Sequence, residues 1–237
     1  MIVIGIIGLL AYPVYAGFAL FSLSQQGPVP SWNTGMMGQR QGQPQTVPPA
    51  PVTLDEAKAI AQQYLTSLNN PNLAIKEIME FQYNFYIIYY EKDTGRGAFE
   101  MLIWKEAPPY GMMGGSYGMG GRMEGYGMVG VIMPEPGPNM MWNSKYGYTS
   151  NGMMGVSNQA PSTPAISNDK ASQLAQEYLD ANFNNAKVEM GTQFYGYYTF
   201  DFTVNGKTAG MLSVNADSGQ AWYHSWHGAF IQEVELD

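Results

Sequence analysis

The sequence predicts an α+β fold. Two tandem small modules, each one helix packed on a 3–4-stranded antiparallel sheet, stand behind an N-terminal transmembrane helix. Three observations carry this: an amphipathic helical segment that occurs twice, strand-like runs after each copy, and an uncharged apolar run at the start of the chain.

Residues 2–23 hold no charged side chain and are mostly apolar. Such a run matches the ~20 residues a helix needs to cross a bilayer. A signal peptide is the alternative, with Val14-Tyr15-Ala16 as its small-residue cleavage site. No Lys or Arg precedes the run, and it continues past Ala16 through Phe18, Leu20 and Phe21, which favours a retained anchor over residues 1–23. Either way the rest of the chain is expected on the extracytoplasmic side, anchored at the cell membrane, or secreted if residues 1–16 are cleaved. Residues 24–51 are rich in Gln, Gly and Pro without an apolar period, and read as a linker.

The internal repeat sets the domain boundaries. VTLDEAKAIAQQYL (52–65) aligns without gaps on ISNDKASQLAQEYL (166–179), with Asp55/Asp169, Ala57/Ala171, Ala61/Ala175, Gln62/Gln176, Tyr64/Tyr178 and Leu65/Leu179 identical. Ala57, Ile60, Ala61, Tyr64, Leu65 and Leu68 recur at helical spacing on one face. Thr53 with Glu56 reads as a capping box, and Ser167 as the N-cap of the second helix. Asp55, Glu56 and Asp169 then sit where the helix dipole favours acids, which explains them without paired-carboxylate catalysis.

Strand-like runs follow at 73–81, 83–91 and 98–105 in the first copy, and at 186–194, 196–204 and 208–215 in the second. Tyr198, Phe200 and Phe202 alternate with Thr199, Asp201 and Thr203, predicting one buried and one wetted face. Asn205-Gly206 is a strong hairpin signal, because a type I′ turn needs positive φ at both positions. MWNSKYG (141–147) and WYHSWHG (222–228) close the two copies. Module 1 is thus 52–147, with a Met/Gly/Tyr-rich insertion at 108–139; a linker spans 148–165, and module 2 is 166–237.

The helix motif D-x-A-x-x-x-A-Q-x-Y-L, followed by a strand meander of this length, resembles the PepSY family of the peptidase-propeptide and YpeB-like kind. The PEPGPNMMWNSKYG and WYHSWHG stretches are similar to those of membrane-anchored proteins carrying this domain. The resemblance covers roughly residues 52–147 and 166–233. It implies an extracytoplasmic inhibitory or accessory binding module and supplies no catalytic residues. The long insertion in copy one departs from the family pattern.

Composition narrows the function. A formal charge of -8 and only 11 Lys and Arg argue against a nucleic-acid partner, which needs clustered cations. The absence of cysteine excludes disulfides, thiolate metal sites and a cysteine nucleophile. There is no H-E-x-x-H, phosphate loop or dinucleotide fingerprint, and Ser225 lacks a G-x-S-x-G elbow. No enzyme activity is expected.

Two metal readings stand beside a bland one. The insertion carries Met112, Met113, Met119, Met123 and Met128, and the tetrapeptide GMMG occurs at 35–38, 111–114 and 152–155. Thioethers are soft ligands that select Cu(I); the bland reading is a pliable cover of methionine against aromatic side chains. The two histidines of the chain, His224 and His227, could meet in a turn leading to Gly228 and, with Glu233 or Glu235, bind Zn or Cu(II). Asn143 and Tyr146 stand at the matching positions of copy one, which favours a structural hydrogen-bonding role. Trp142, Tyr146, Trp222 and Trp226 are candidate partner-binding anchors, with core packing as the alternative.

The expectation is therefore a non-catalytic accessory or regulatory subunit, held in the membrane by its N-terminal helix beside a membrane-associated protein partner. A Cu(I)-binding protein and a propeptide-like peptidase inhibitor are the alternatives; no cofactor is assigned, and copper is the candidate.

Overall fold

The structure, a computed structural model, describes residues 50–106, 129–147 and 163–236. The predicted anchor, the linker as far as residue 49, residue 107 with insertion residues 108–128, residues 148–162 and residue 237 lie outside these. Among the described residues no helix is long and apolar enough to cross a membrane.

Helix α1 (Leu54–Ser67) begins at the expected capping box. Thr53 Oγ1 accepts from the Glu56 N–H at 3.3 Å, and the Glu56 carboxylate accepts from the Thr53 N–H at 2.8 Å. Its buried Ala57 and Ala61 let it lie close to strands β1 (Leu73–Phe81) and β2 (Asn84–Glu91). Strand β3 (Gly97–Trp104), the short β4 (Ile132–Pro134) and a single helical turn, α2 (Asn139–Trp142), complete this half. Copy two repeats the pattern with α3 (Asn168–Asn182), capped by Ser167 Oγ accepting from the Lys170 N–H at 3.3 Å. Strands β5 (Ala186–Gln193), β6 (Tyr197–Val204), β7 (Lys207–Asn215) and β8 (Ala221–Tyr223) follow. Asn205 and Gly206 join β6 to β7 with φ of 52° and 75°, the left-handed pair a type I′ turn needs.

The α+β class with antiparallel sheets is as expected; a first sheet of five strands is not. A last strand, β9 (Phe230–Glu235), leaves the second copy and pairs antiparallel with β1. The first sheet is therefore five-stranded, β4-β3-β2-β1-β9, and the second four-stranded, β5-β6-β7-β8. Mostly exposed and carrying Gln232, Glu233 and Glu235, β9 lacks the clean alternation that marks a strand in sequence.

The wetted face predicted for β6 is also corrected. Tyr198, Phe200 and Phe202 pack under α3 as foreseen, but Thr199 is buried, and its face lies against the first sheet. Between the sheets, Met79, Phe81, Tyr86, Ile88, Leu102 and Trp104 meet Phe194, Tyr197, Met211 and Trp226. The layer order is α1, first sheet, second sheet, α3, and the two inner faces form a shared core. Polar residues at 199, 201 and 213 mimic a solvated face because that core contains a buried polar network.

Candidate functional site

The network lies where β4 and the turn after β8 enter the space between the sheets. β4 pairs with β3, and the Glu135 N–H that follows it donates to the Glu100 carbonyl at 3.2 Å. Pro134 and Pro136 restrict the backbone on both sides of Glu135. Gly137, at φ 100°, lets the Trp226 ring lie against the chain: a Cβ there would sit 2.9 Å from that indole. From the other half, the His224 N–H donates to the Met211 carbonyl at 3.0 Å. The chain then turns through Ser225 and Trp226 to Gly228, φ 75°. His224 stacks on Trp226 at 5.0 Å and His227 on Phe81 at 4.3 Å, which fixes both imidazole planes.

Both rings converge on one carboxylate oxygen. His224 Nδ1 lies 3.0 Å and His227 Nε2 3.2 Å from Glu135 Oε1, and all three side chains are at most 1% exposed. Neither nitrogen has hydrogen-bond geometry to that oxygen or to any other described protein atom. The opposite ring nitrogens are engaged. Asn84 Nδ2 donates to the Trp226 carbonyl at 3.0 Å, so Asn84 Oδ1, 2.8 Å from His227 Nδ1, must accept from it. His227 Nε2 is then the bare nitrogen.

His224 Nε2 lies 2.9 Å from Ser213 Oγ, Ser213 lies 2.8 Å from Thr199 Oγ1, and Thr199 donates to Glu100 Oε1 at 2.6 Å. Run in one direction, this chain of donors starts at a protonated Nε2 and leaves His224 Nδ1 bare. Around the carboxylates, Asn139 Nδ2 donates to Glu100 and Glu135 at 2.8 and 3.0 Å, Trp226 Nε1 to Glu135 at 3.3 Å, and Tyr86 Oη to Glu100 at 2.5 Å.

Burial sets the charges. It pushes the Glu100 carboxyl up to about 7, helped by the neighbouring Glu135 charge, and raises Glu135 against the hydrogen bonds that stabilise its anion. It also takes His224 down to about 4 and lowers His227, so both imidazoles are neutral ligands rather than cations at neutral pH.

The matching turn of copy one offers a built-in comparison. There Tyr146 and Lys145 both bond Glu91 Oε1, and Tyr195 Oη donates to Glu91 Oε2 at 2.6 Å. Asn143 accepts from the Tyr146 and Lys145 N–H groups at 2.7 and 3.1 Å. Each module end thus holds a buried carboxylate, and at Glu91 a lysine balances it. At Glu135 no described Lys or Arg lies within ion-pairing distance; the two imidazoles occupy that place.

Of the residues singled out in the sequence, His224 and His227 come together, with Glu135 as their carboxylate. The expected Glu233 and Glu235 lie instead on β9, opposite Met79 and Glu77 of β1. Met112, Met113, Met119, Met123 and Met128 fall outside the described residues. Tyr146 and Trp226 are buried inside the fold, Trp142 is half-buried, and Trp222 is 39% exposed. Glu135, Glu100, Asn84, Thr199 and Ser213 were missed. The one sequence signal was Glu135 itself, an acid held between two prolines directly after the insertion.

A second feature is open. A cleft of about 440 Å³ lies between the β2–β3 turn and the end of β5, lined by Thr94, Gly95, Arg96, Gly191, Thr192, Gln193 and Tyr195. The Arg96 guanidinium lies over the Tyr195 ring at 4.8 Å, and Met190, next to the lining residue Gly191, is 93% exposed.

No protein-family model and no curated protein matches this sequence. Among solved structures the chain is similar to the C-terminal domain of Bacillus megaterium YpeB, at 14% identity and a TM-score of 0.23. That match spans 72% of this chain and 61% of the YpeB domain chain, less than two thirds of the latter's length.

Proposed function

We propose that the chain is a non-catalytic binding protein, an accessory or regulatory subunit working on the extracytoplasmic side and tethered by residues 1–23 beside a membrane-associated protein partner. The observation that carries the non-catalytic reading is the sealing of the titratable cluster. Glu100, Glu135, His224 and His227 converge, yet each is at most 1% exposed, which supports a packed polar cluster over an open catalytic site. The open cleft offers a partner something different, a cation on an aromatic floor, and Met190, next in sequence to the lining residue Gly191, is a highly exposed thioether. Flexible methionine and arginine on tyrosine are side chains that interfaces favour. The anchor and address rest on the apolar run of the sequence.

Extraction of native membranes in mild detergent tests the reading. The full chain is expected to co-purify with a membrane protein. Arg96→Glu combined with Met190→Glu should reduce that association at least about tenfold, with an unchanged far-UV circular dichroism spectrum as the control that the chain still folds. Repeated recovery of the wild-type chain alone overturns it.

A further inference from the structure

We propose that Glu135, His224 and His227 form a buried binding site for one divalent transition-metal ion of the zinc class, placed between the two sheets so that the ion joins the two modules. Each module supplies ligands: Glu135 comes from the segment after β4, and the histidines from the turn after β8.

Three independent features point to an ion. The donor atoms are the right kind at the right spacing. Two imidazole nitrogens and a carboxylate oxygen, all within 4.8 Å of one another, match the His₂Glu sets that zinc accepts. The 3.0 and 3.2 Å separations from Oε1 approach the ~3.3 Å edge of a tetrahedron with metal–ligand bonds of ~2.0–2.1 Å.

The second feature is the pair of bare nitrogens. In a fully buried place, His224 Nδ1 and His227 Nε2 make no hydrogen bond, although each faces a carboxylate oxygen. Two buried imidazole nitrogens beside a carboxylate oxygen, neither aligned to hydrogen-bond it, leave desolvated polar atoms unsatisfied unless a cation sits among them. One carboxyl proton on Glu135 can serve one of these nitrogens and leaves the other bare.

The third feature is the outer layer. Each histidine holds its remote nitrogen on a protein oxygen, Asn84 Oδ1 for His227 and Ser213 Oγ for His224. Glu135 is held by Asn139 and Trp226. Metal-ligating histidines are oriented in this way, with the far N–H donated so that the near nitrogen faces the ion. Copy one shows what the site otherwise needs, since its Glu91 carries Lys145 as a fixed counter-charge. Imidazole and carboxylate ligands of this kind suit zinc and its neighbours rather than Cu(I).

The test uses the full chain, refolded from denaturant under chelator with or without added Zn(II), because a sealed site exchanges slowly. The expected result is one Zn(II) per chain after desalting, and a melting temperature raised relative to the metal-free refolded protein. Co(II) in its place should give a visible d–d absorption that Glu135→Gln and His227→Gln lack. Glu135→Gln, which keeps the shape and can still accept from Trp226, should lose the stoichiometric ion. His227→Gln, an independent ligand change, should lose it too. Arg96→Glu, remote from these residues, should keep it. A folded wild-type chain that takes up neither ion above the level of Glu135→Gln overturns the proposal, and Glu135 is then a carboxylic acid sharing its proton with the imidazoles. If both ligand variants fold and retain one ion per chain, the ion sits elsewhere and the assignment is equally wrong.

Discussion

Asp201 is half-buried and Glu91 fully buried, and their surroundings push the two carboxyls in opposite directions. Asp201, on β6, faces the first sheet. Burial, together with the negative Glu77 and Glu233, pushes its carboxyl from 3.8 up to about 8. Its Oδ1 makes no hydrogen bond to a described protein group. The folded state therefore holds a proton that the unfolded chain releases above about pH 4. The stability tied to this group is complete below that pH and declines as pH rises toward 8. Asp201→Asn, neutral at all pH, should raise the urea midpoint at pH 8 by an amount worth at least ~1 kcal/mol and change little at pH 4. An unchanged slope between those pH values would contradict the assignment. Burial also opposes the Glu91 anion, but bonds from Lys145, Tyr146, Tyr195 and Thr94 outweigh it and hold the group at about 2. Its contribution is complete above about 4.5 and lost as pH falls toward 2. Lys145→Met should move the acid-unfolding midpoint upward by about one pH unit, as followed by near-UV circular dichroism. No movement would mean that the tyrosines alone hold the charge.

Among the elements, the segment between β4 and α2 deserves the most direct test, because it carries Glu135 and has almost no regular structure. Gly137 at φ 100° holds it in place, and a Cβ there would lie 2.9 Å from the Trp226 ring and 3.1 Å from Trp222 Nε1. Gly137→Ala should cost about 1–3 kcal/mol through backbone strain and displacement of the indoles, with a shift in tryptophan fluorescence. A variant with unchanged stability and emission would show that the segment repacks freely. The regular elements were legible in the sequence for local reasons. The capping residues Thr53 and Ser167, the alanine faces of both helices and the Asn205-Gly206 turn each act within a few residues of chain. Strands β1, β2, β3, β5, β6 and β7 follow from alternation and β-branched or aromatic content. What stayed hidden depends on contacts distant in sequence. Thr199 reads as a wetted residue because its acceptor, Glu100, lies in the other module. The same holds for Asn84 and His227, which meet across the interface between the sheets. Strand β9 carries too many polar residues to announce itself, and its partner β1 is at the other end of the folded region.

For the whole molecule, the repeat in sequence marks two tandem modules, and the packing argues against their being independent. The face that each sheet turns to the other holds Tyr86, Leu102 and Trp104 on one side and Phe194, Tyr197 and Met211 on the other, all buried. Separating the halves would expose that apolar surface, together with Glu100, Glu135, His224 and His227, whose partners would be lost. The crossing of β9 adds a second tie: without residues 230–235, β1 has an open edge from Glu77 to Phe81. The described residues accordingly belong to one compact unit, and it should unfold as one. Urea transitions followed by tryptophan fluorescence and by far-UV circular dichroism are expected to coincide. Fragments 46–165 and 166–237 should each lack a cooperative transition when expressed alone and should recover one when mixed. Recovery on mixing needs β9 to find β1 and the two inner faces to meet, so deleting residues 230–237 from the second fragment should abolish or strongly weaken it. Two separate cooperative transitions, or a first fragment that melts cooperatively alone, would mean that the shared core is a contact between finished domains rather than part of what folds them.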